Sequence, residues 1–288
     1  MCCKKKQLEK VLLMSIFNYN GKNIFYELDG DPLKPKMVIL NGIMMSTKSW
    51  IPFMDTFKEQ FHVLRLDFFD QGQSHKLIGE SYTHEIQIDL LKALFDYLNI
   101  KKINIVGISY GGNAALAFAC RYQEYVERLM LFNSAAYTTP WLRDIGDGWM
   151  RAGATRDGAL YYKVTIPVIY SEKYYDEKLD WMRARERILL PVFSNPDFLD
   201  AMERLTLSAE AYDVRNKLSS LKVPIMIISA EQDTLTPMKD QEYLYNHIDN
   251  AYWIKLPDVG HASMYENPLI FTSLVTGFFL IKNTKYVI

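Results

Sequence analysis

Residues 105–112 read Ile105-Val106-Gly107-Ile108-Ser109-Tyr110-Gly111-Gly112. A short apolar run, 103–106, leads into this stretch, and a run rich in Ala and Phe leads out of it through Arg121. Ser109 therefore stands where a buried strand turns into a helix. In a G-x-S-x-G pattern at such a junction, the sharp turn forces the serine into a strained backbone conformation. Gly107 and Gly111 are required because a side chain at either place collides with the neighbouring strand or helix. The hydroxyl then projects above the sheet, and the helix N-terminus behind it favours developing negative charge. A second reading makes Ser109 a plain cap on a helix of small residues.

Outward from this stretch, short apolar runs alternate with longer amphipathic ones. That order predicts an α/β fold: a mostly parallel sheet with helices on both faces. Strands are expected at 22–28 (a hairpin after the Asn20-Gly21 turn), 36–40, 62–66, 127–132, 224–229 and 251–256. Ile86, Leu90, Leu91, Leu94, Phe95 and Leu98 recur at helical spacing, with Thr83 as the expected N-cap, and a last helix is expected at 268–280. The alternation stops between 136 and 209, where Trp141, Trp149, Trp181, Tyr161, Tyr162, Tyr170, Tyr174 and Tyr175 fall in helix-like runs. An insertion of that length in an α/β sheet reads as a helical cap. The expected organisation is a core of 14–135 and 210–288, a helical cap of 136–209, and a flexible tail of 1–13 ahead of Met14.

Bulk composition narrows the function classes. With 49% hydrophobic and 23% charged residues over 288 positions, the chain has the balance of a soluble globular protein of one large domain. A formal net charge of −1 provides no field for nucleic acid. No apolar run approaches the ~20 residues of a membrane span, so no stable membrane insertion is expected. The expected location is the cytoplasm, and a homo-oligomer is compatible with the composition. Three cysteines without metal or disulfide spacing fit a reducing compartment. Cys120 reads as a small core residue. Cys2 and Cys3 read as part of a frayed tail, with acylation beside the lysines as the other reading.

A serine hydroxyl becomes a nucleophile only when a base takes its proton, and that base, a histidine, must be oriented by a carboxylate. Of the five histidines, His62 opens a strand, His75 and His84 lie in or near loops, and His247 falls on a polar helix. His261 alone follows the last strand, in Leu256-Pro257-Asp258-Val259-Gly260-His261, where the chain curls over the carboxyl edge of the sheet. For the acid, Asp233 follows the penultimate strand in Ile228-Ser229-Ala230-Glu231-Gln232-Asp233, with Glu231 in reserve and Asp258 read as a solvated loop charge.

These three segments together resemble the α/β-hydrolase superfamily, in its broad branch of capped esterases, lactonases and C–C hydrolases. The similarity runs from about Phe17 to the C-terminal helix and is weakest in the cap. It implies a catalytic triad in the chain order Ser109, Asp233, His261, an oxyanion hole made by the backbone N–H groups of Ile43 and Tyr110, and no metal or organic cofactor. The implied activity is hydrolysis of a carboxylic ester of a small, largely apolar acyl substrate through an acyl-enzyme on Ser109. Thioesterase, lactonase, acyltransferase and C–C hydrolase chemistry share that machinery, and a slow-turnover ligand sensor can be built on the same fold. Epoxide and haloalkane hydrolases place an aspartate where Ser109 stands. Two departures stand out. Asn41-Gly42 replaces the branch's frequent His-Gly, and Asp67-Phe68-Phe69-Asp70-Gln71-Gly72-Gln73-Ser74 replaces Asp-x-Arg-Gly-x-Gly-x-Ser, losing the arginine and putting Asp70 at a glycine position. The latter stretch supports the site indirectly in the family. In the cap, Arg143, Arg151, Arg156, Arg183, Arg185 and Arg187 are either solvated or available to a substrate carboxylate.

Overall fold

The computed structural model describes residues 13–281. Eight strands form one sheet: β1 (Leu13–Tyr19), β2 (Lys22–Asp29), β3 (Lys36–Leu40), β4 (His62–Leu66), β5 (Ile103–Ile108), β6 (Val126–Phe132), β7 (Ile225–Ala230) and β8 (Ala251–Leu256). Their order across the sheet is β1-β2-β4-β3-β5-β6-β7-β8. The β1–β2 and β2–β4 pairs are antiparallel, and all the others are parallel. The β1–β2 hairpin closes through Asn20 (φ 51°) and Gly21 (φ 80°), the two left-handed positions that a tight primed turn demands. This strand begins at Leu13, one residue before the domain start read from Met14. Cys2 and Cys3 lie outside the described residues.

Eleven helices accompany the sheet among the described residues. They are α1 (Ile51–Lys58), α2 (Glu85–Tyr97), α3 (Tyr110–Tyr122), α4 (Pro140–Ala154), α5 (Gly158–Thr165), α6 (Glu172–Glu177), α7 (Leu179–Phe193), α8 (Pro196–Ser208), α9 (Met238–His247), α10 (Ser263–Glu266) and α11 (Pro268–Leu280). None is long and apolar enough to cross a membrane.

The sheet is central because its strands are apolar on both faces. All six residues of β5 are buried. Ile105 and Leu131 face Leu91, Phe95 and Phe118 of α2 and α3, whereas Val106 and Phe132 face Phe57 and Phe271 of α1 and α11. Successive side chains on a strand point to opposite faces, so each run of aliphatics supplies two cores at once.

Helix α2 departs from the sequence expectation at its start. It begins at Glu85, with His84 rather than Thr83 in the cap position and no side-chain cap hydrogen bond. The Thr83 and His84 carbonyls accept from Ile86 and Gln87 in a tight turn, while His84 donates its N–H to Ser208 O. That contact carries His84 into the interior, edge-on to Tyr110 and Tyr212, and removes the geometry in which Thr83 would cap.

Between β6 and β7 the chain runs through α4 to α8 without a strand, and α8 packs on α4. The loops after β3, β5, β6, β7 and β8 all leave the carboxyl edge of the parallel strands, where ligand crevices form in open α/β sheets. The inserted helices supply the other wall of that crevice.

Candidate active site

Ser109 follows β5 directly and has φ 54° and ψ −120°, a conformation that L-residues avoid unless the surroundings impose it. The imposition comes from the glycines. A Cβ on Gly107 would stand 2.5 Å from Gly111 O, and one on Gly111 would stand 2.4 Å from Leu40 O. Their absence lets α3 press against β3 and β5, and the chain can turn only at the residue between. The Ser109 side chain makes no cap hydrogen bond, so the plain helix-cap reading fails. Ser109 instead lines a cavity of about 910 Å³, together with His261, Ile43 and Tyr110.

His261 lies in the loop after β8, with Nδ1 2.7 Å from Oδ2 of Asp233. Asp233 sits in the turn after β7 and is buried. Its Oδ1 accepts the N–H groups of Leu235 (2.8 Å) and Thr236 (3.0 Å), and its Oδ2 accepts the Thr236 hydroxyl at 2.7 Å. With His261, these donors fill the acceptor sites of an ionised carboxylate. A carboxylate whose acceptor sites are so occupied takes a hydrogen from its fourth neighbour, so the one between it and His261 belongs to Nδ1, and Nε2 is the ring nitrogen left free of Asp233.

Asn133, in the left-handed region at the end of β6 (φ 47°), ties the two loops together. Its amide donates to His261 O at 2.7 Å, and its Oδ1 accepts Ala230 N at 3.1 Å. Glu231, the reserve acid, is exposed, and its N–H donates to Leu256 O. Asp258 pairs with Lys173 at the surface. Among the other histidines, His62 is in β4, His75 and His247 are exposed, and His84 is buried behind Tyr110. Thr236 and Asn133 escaped the sequence reading. The Asp-x-x-Thr spacing of 233–236 carries a signal for the first, since aspartate commonly accepts the N–H groups two and three residues on.

Neither the Ile43 nor the Tyr110 backbone N–H donates a hydrogen bond to a described residue. Tyr110 is the first residue of α3, where the helix has no internal acceptor to offer. Behind the loop after β3, Asn41 is fully buried, with Oδ1 accepting Trp50 Nε1 at 2.7 Å and Nδ2 donating to Leu66 O at 2.8 Å. Asp70, at the position where the resembled family has glycine, adopts φ 65°. Its carboxylate binds Arg204 of α8 through two nitrogens, at 3.0 and 2.5 Å, and accepts the Tyr82 hydroxyl at 2.7 Å. The altered stretch thus ties the inserted helices to the loop after β4.

The cavity walls are mainly apolar and include Met44, Met45, Trp149, Ile166 and Leu235. Lys48, Arg143 and Arg185 also line it, against the single carboxylate of Glu210. The Arg185 guanidinium lies 5.3 Å from the Trp181 ring centre and 5.0 Å from that of Tyr265. Its Nε is buried without a hydrogen-bond partner, and among the described residues no carboxylate forms an ion pair with Arg185.

The family model described as alpha/beta hydrolase fold matches residues 35–268. MGS-M2, an alpha/beta hydrolase enzyme from a Medee basin deep-sea metagenome library, has a crystal structure that superposes with a TM-score of 0.93 at 51% identity, covering 95% of this chain and all of that one. The 3-oxoadipate enol-lactonase 1 of Acinetobacter baylyi is 26% identical over 276 residues, which is 94% of this chain and 98% of the relative. The enol-lactonase of Burkholderia xenovorans shares the fold, with a TM-score of 0.80 at 24% identity over 93% of this chain and all of that one. With a family match across most of its length and an eight-stranded, mostly parallel sheet, this chain belongs to the α/β-hydrolase fold family and is a hydrolase.

Proposed function

We propose that this hydrolase is a serine esterase whose nucleophile is Ser109, whose base is His261 and whose orienting acid is Asp233. One observation carries the reading: the strained Ser109 opens into the same cavity as a histidine whose Nδ1 is held by a saturated, buried carboxylate. His261 Nε2 takes the Ser109 proton as Oγ attacks the carbonyl, and Asp233 stabilises the imidazolium. The undonated N–H groups of Ile43 and Tyr110 receive the oxyanion. His261 then protonates the leaving alcohol, and water activated by the same nitrogen releases the acid product.

The lining supports a substrate with an apolar body and one anionic end. Arg185 is half-buried against two rings with its buried Nε–H unused, which is unfavourable unless a ligand completes it, and a carboxylate matches the planar guanidinium. A lactone is the second reading, supported by the resemblance to an enol-lactonase. Thioesters and C–C bonds beside a carbonyl present the same oxyanion and belong in the same screen.

The test compares half-esters of dicarboxylic acids with neutral diesters of equal length, in wild type, Ser109→Ala and Arg185→Met. The half-esters are expected to show at least about tenfold higher kcat/KM, a preference lost with Arg185. Ser109→Ala is expected to lose several orders of magnitude. Retained turnover in Ser109→Ala would overturn the nucleophile, and equal rates on the two ester series would overturn the anionic end. Single-turnover labelling by a phosphonate without sustained hydrolysis of any member would favour a sensor.

A further inference from the structure

We infer that Gln71 is a positioning residue that aims the Ile43 N–H at the oxyanion, through a buried hydrogen-bond chain running from Trp50 by way of Asn41. The inference rests on the reading of Ser109 as nucleophile and concerns a side chain outside the triad.

The polarity of the chain follows from its first member. An indole N–H can only donate, so the Asn41 atom 2.7 Å from Trp50 Nε1 is the amide oxygen. Asn41 Nδ2 must then face acceptors, and it donates to Leu66 O (2.8 Å) and to Gln71 Oε1 (3.1 Å). Gln71 Oε1 also accepts Phe68 N at 3.3 Å. That fixes the Gln71 amide in turn, leaving Nε2 to donate to Gly42 O at 3.0 Å and Ile43 O at 3.3 Å. Trp50, Asn41 and Gln71 are each at most 1% exposed, so water does not compete for these groups.

The consequence for the site comes from peptide geometry. In a planar trans peptide the C=O and N–H point in opposite directions. Gripping Gly42 O from behind therefore directs the N–H of the next residue, Ile43, away from Gln71. Both Gly42 and Ile43 line the cavity that holds Ser109. Met45 N also donates to Gly42 O, at 3.1 Å, which shapes the turn locally. Gln71 does what that local bond cannot, holding the turn in place relative to the end of β4. Its own backbone is anchored by bonds to Phe68 O and from Ser74 N. The two sequence departures, Asn41 and the 67–74 stretch, are thus the two halves of one support.

The test uses two variants of nearly unchanged shape. Gln71→Met removes the donor, and Gln71→Glu replaces it with an acceptor facing two carbonyls. Complete loss of an oxyanion donor costs about 10²–10³ in kcat. A donor left in place but poorly aimed is expected to lose about 10- to 100-fold in kcat in Gln71→Met, with KM within about threefold. Affinity for a trifluoromethyl ketone, which forms a tetrahedral oxyanion on Ser109, should fall by the same factor, and affinity for the carboxylic acid product should not. In Gln71→Glu the activity relative to wild type should rise as pH falls, because a protonated carboxyl again donates to Gly42 O. Taking the ratio at each pH removes the pH dependence that both proteins share, and it also carries the test should Gln71→Met fail to fold.

A Gln71→Met enzyme with wild-type kcat, or one altered only in KM, overturns the inference, as does a pH-independent ratio for Gln71→Glu. If Ser109→Ala is inactive while the Gln71 variants are normal, only the positioning role falls. If Ser109→Ala is active, the underlying reading falls with it.

Discussion

Replacing Arg204 by alanine should destabilise the protein by about 3 kcal/mol, because it strands a buried carboxylate. The Asp70 side chain is 0% exposed and that of Arg204 is 15% exposed. Breaking a buried ion pair from one side costs roughly 3–5 kcal/mol, most of it the penalty of the charge left behind. Asp70 keeps two other donors, Leu77 N and the Tyr82 hydroxyl, which puts the expected cost at the low end. An unfolding entropy of about 2.1 cal/mol/K per residue amounts to about 0.6 kcal/mol/K for 288 residues, so Tm should fall by about 5 °C.

The partner variant, Asp70→Gly, removes the carboxylate but also relieves its left-handed backbone, a gain of about 1–2 kcal/mol that partly offsets the lost contacts. In that background Arg204→Ala should cost less than about 1 kcal/mol, since nothing remains to be stranded. Urea denaturation of the four proteins at pH 7 closes the cycle, with an expected coupling of at least about 2 kcal/mol. An Arg204→Ala cost that is the same in both backgrounds would refute the claim that Asp70 ties α8 to the loop after β4.

Other outcomes follow from single residues. Burial pushes His84 down to about 4 from its usual 6.5, so the folded state excludes a proton that the unfolded chain accepts. Stability from this residue is therefore full above pH ~6.5 and lost as pH falls toward 4, by about 3 kcal/mol, and His84→Phe should flatten that part of a urea-midpoint profile. Gly111→Ala should cost at least about 3 kcal/mol or prevent folding, because the new methyl meets backbone at Leu40 and Asn41. Gly148→Ala, in α4 with nothing within 4 Å, should instead gain up to about 1 kcal/mol, and comparing the two by thermal denaturation separates steric need from mere glycine content. Burial pushes the Cys120 thiol up to about 11, so iodoacetamide at pH 8 should label it only after denaturation, as peptide mapping would show.

The sequence by itself determined the fold class, the elbow and the candidate triad. Those features rest on local regularities: apolar runs of strand length, glycines flanking a serine, and an aspartate and a histidine just beyond strand ends. Chain order and strand polarity then bring Ser109, Asp233 and His261 to one edge, because parallel strands share a carboxyl end. Only the tertiary structure shows that Asp233, and not the exposed Glu231, meets His261, since that depends on which side chain points inward. It also moved the start of α2 past Thr83, where the pull of Ser208 and the two tyrosines on His84 outweighed a local cap preference. The partners of Asp70, Asn133 and Gln71 lie up to 134 residues away in the chain, with Arg204 the farthest. A polar side chain announces its type in the sequence, but its partner is set by packing between distant elements, and that packing exists only once the sheet and the inserted helices have closed on each other.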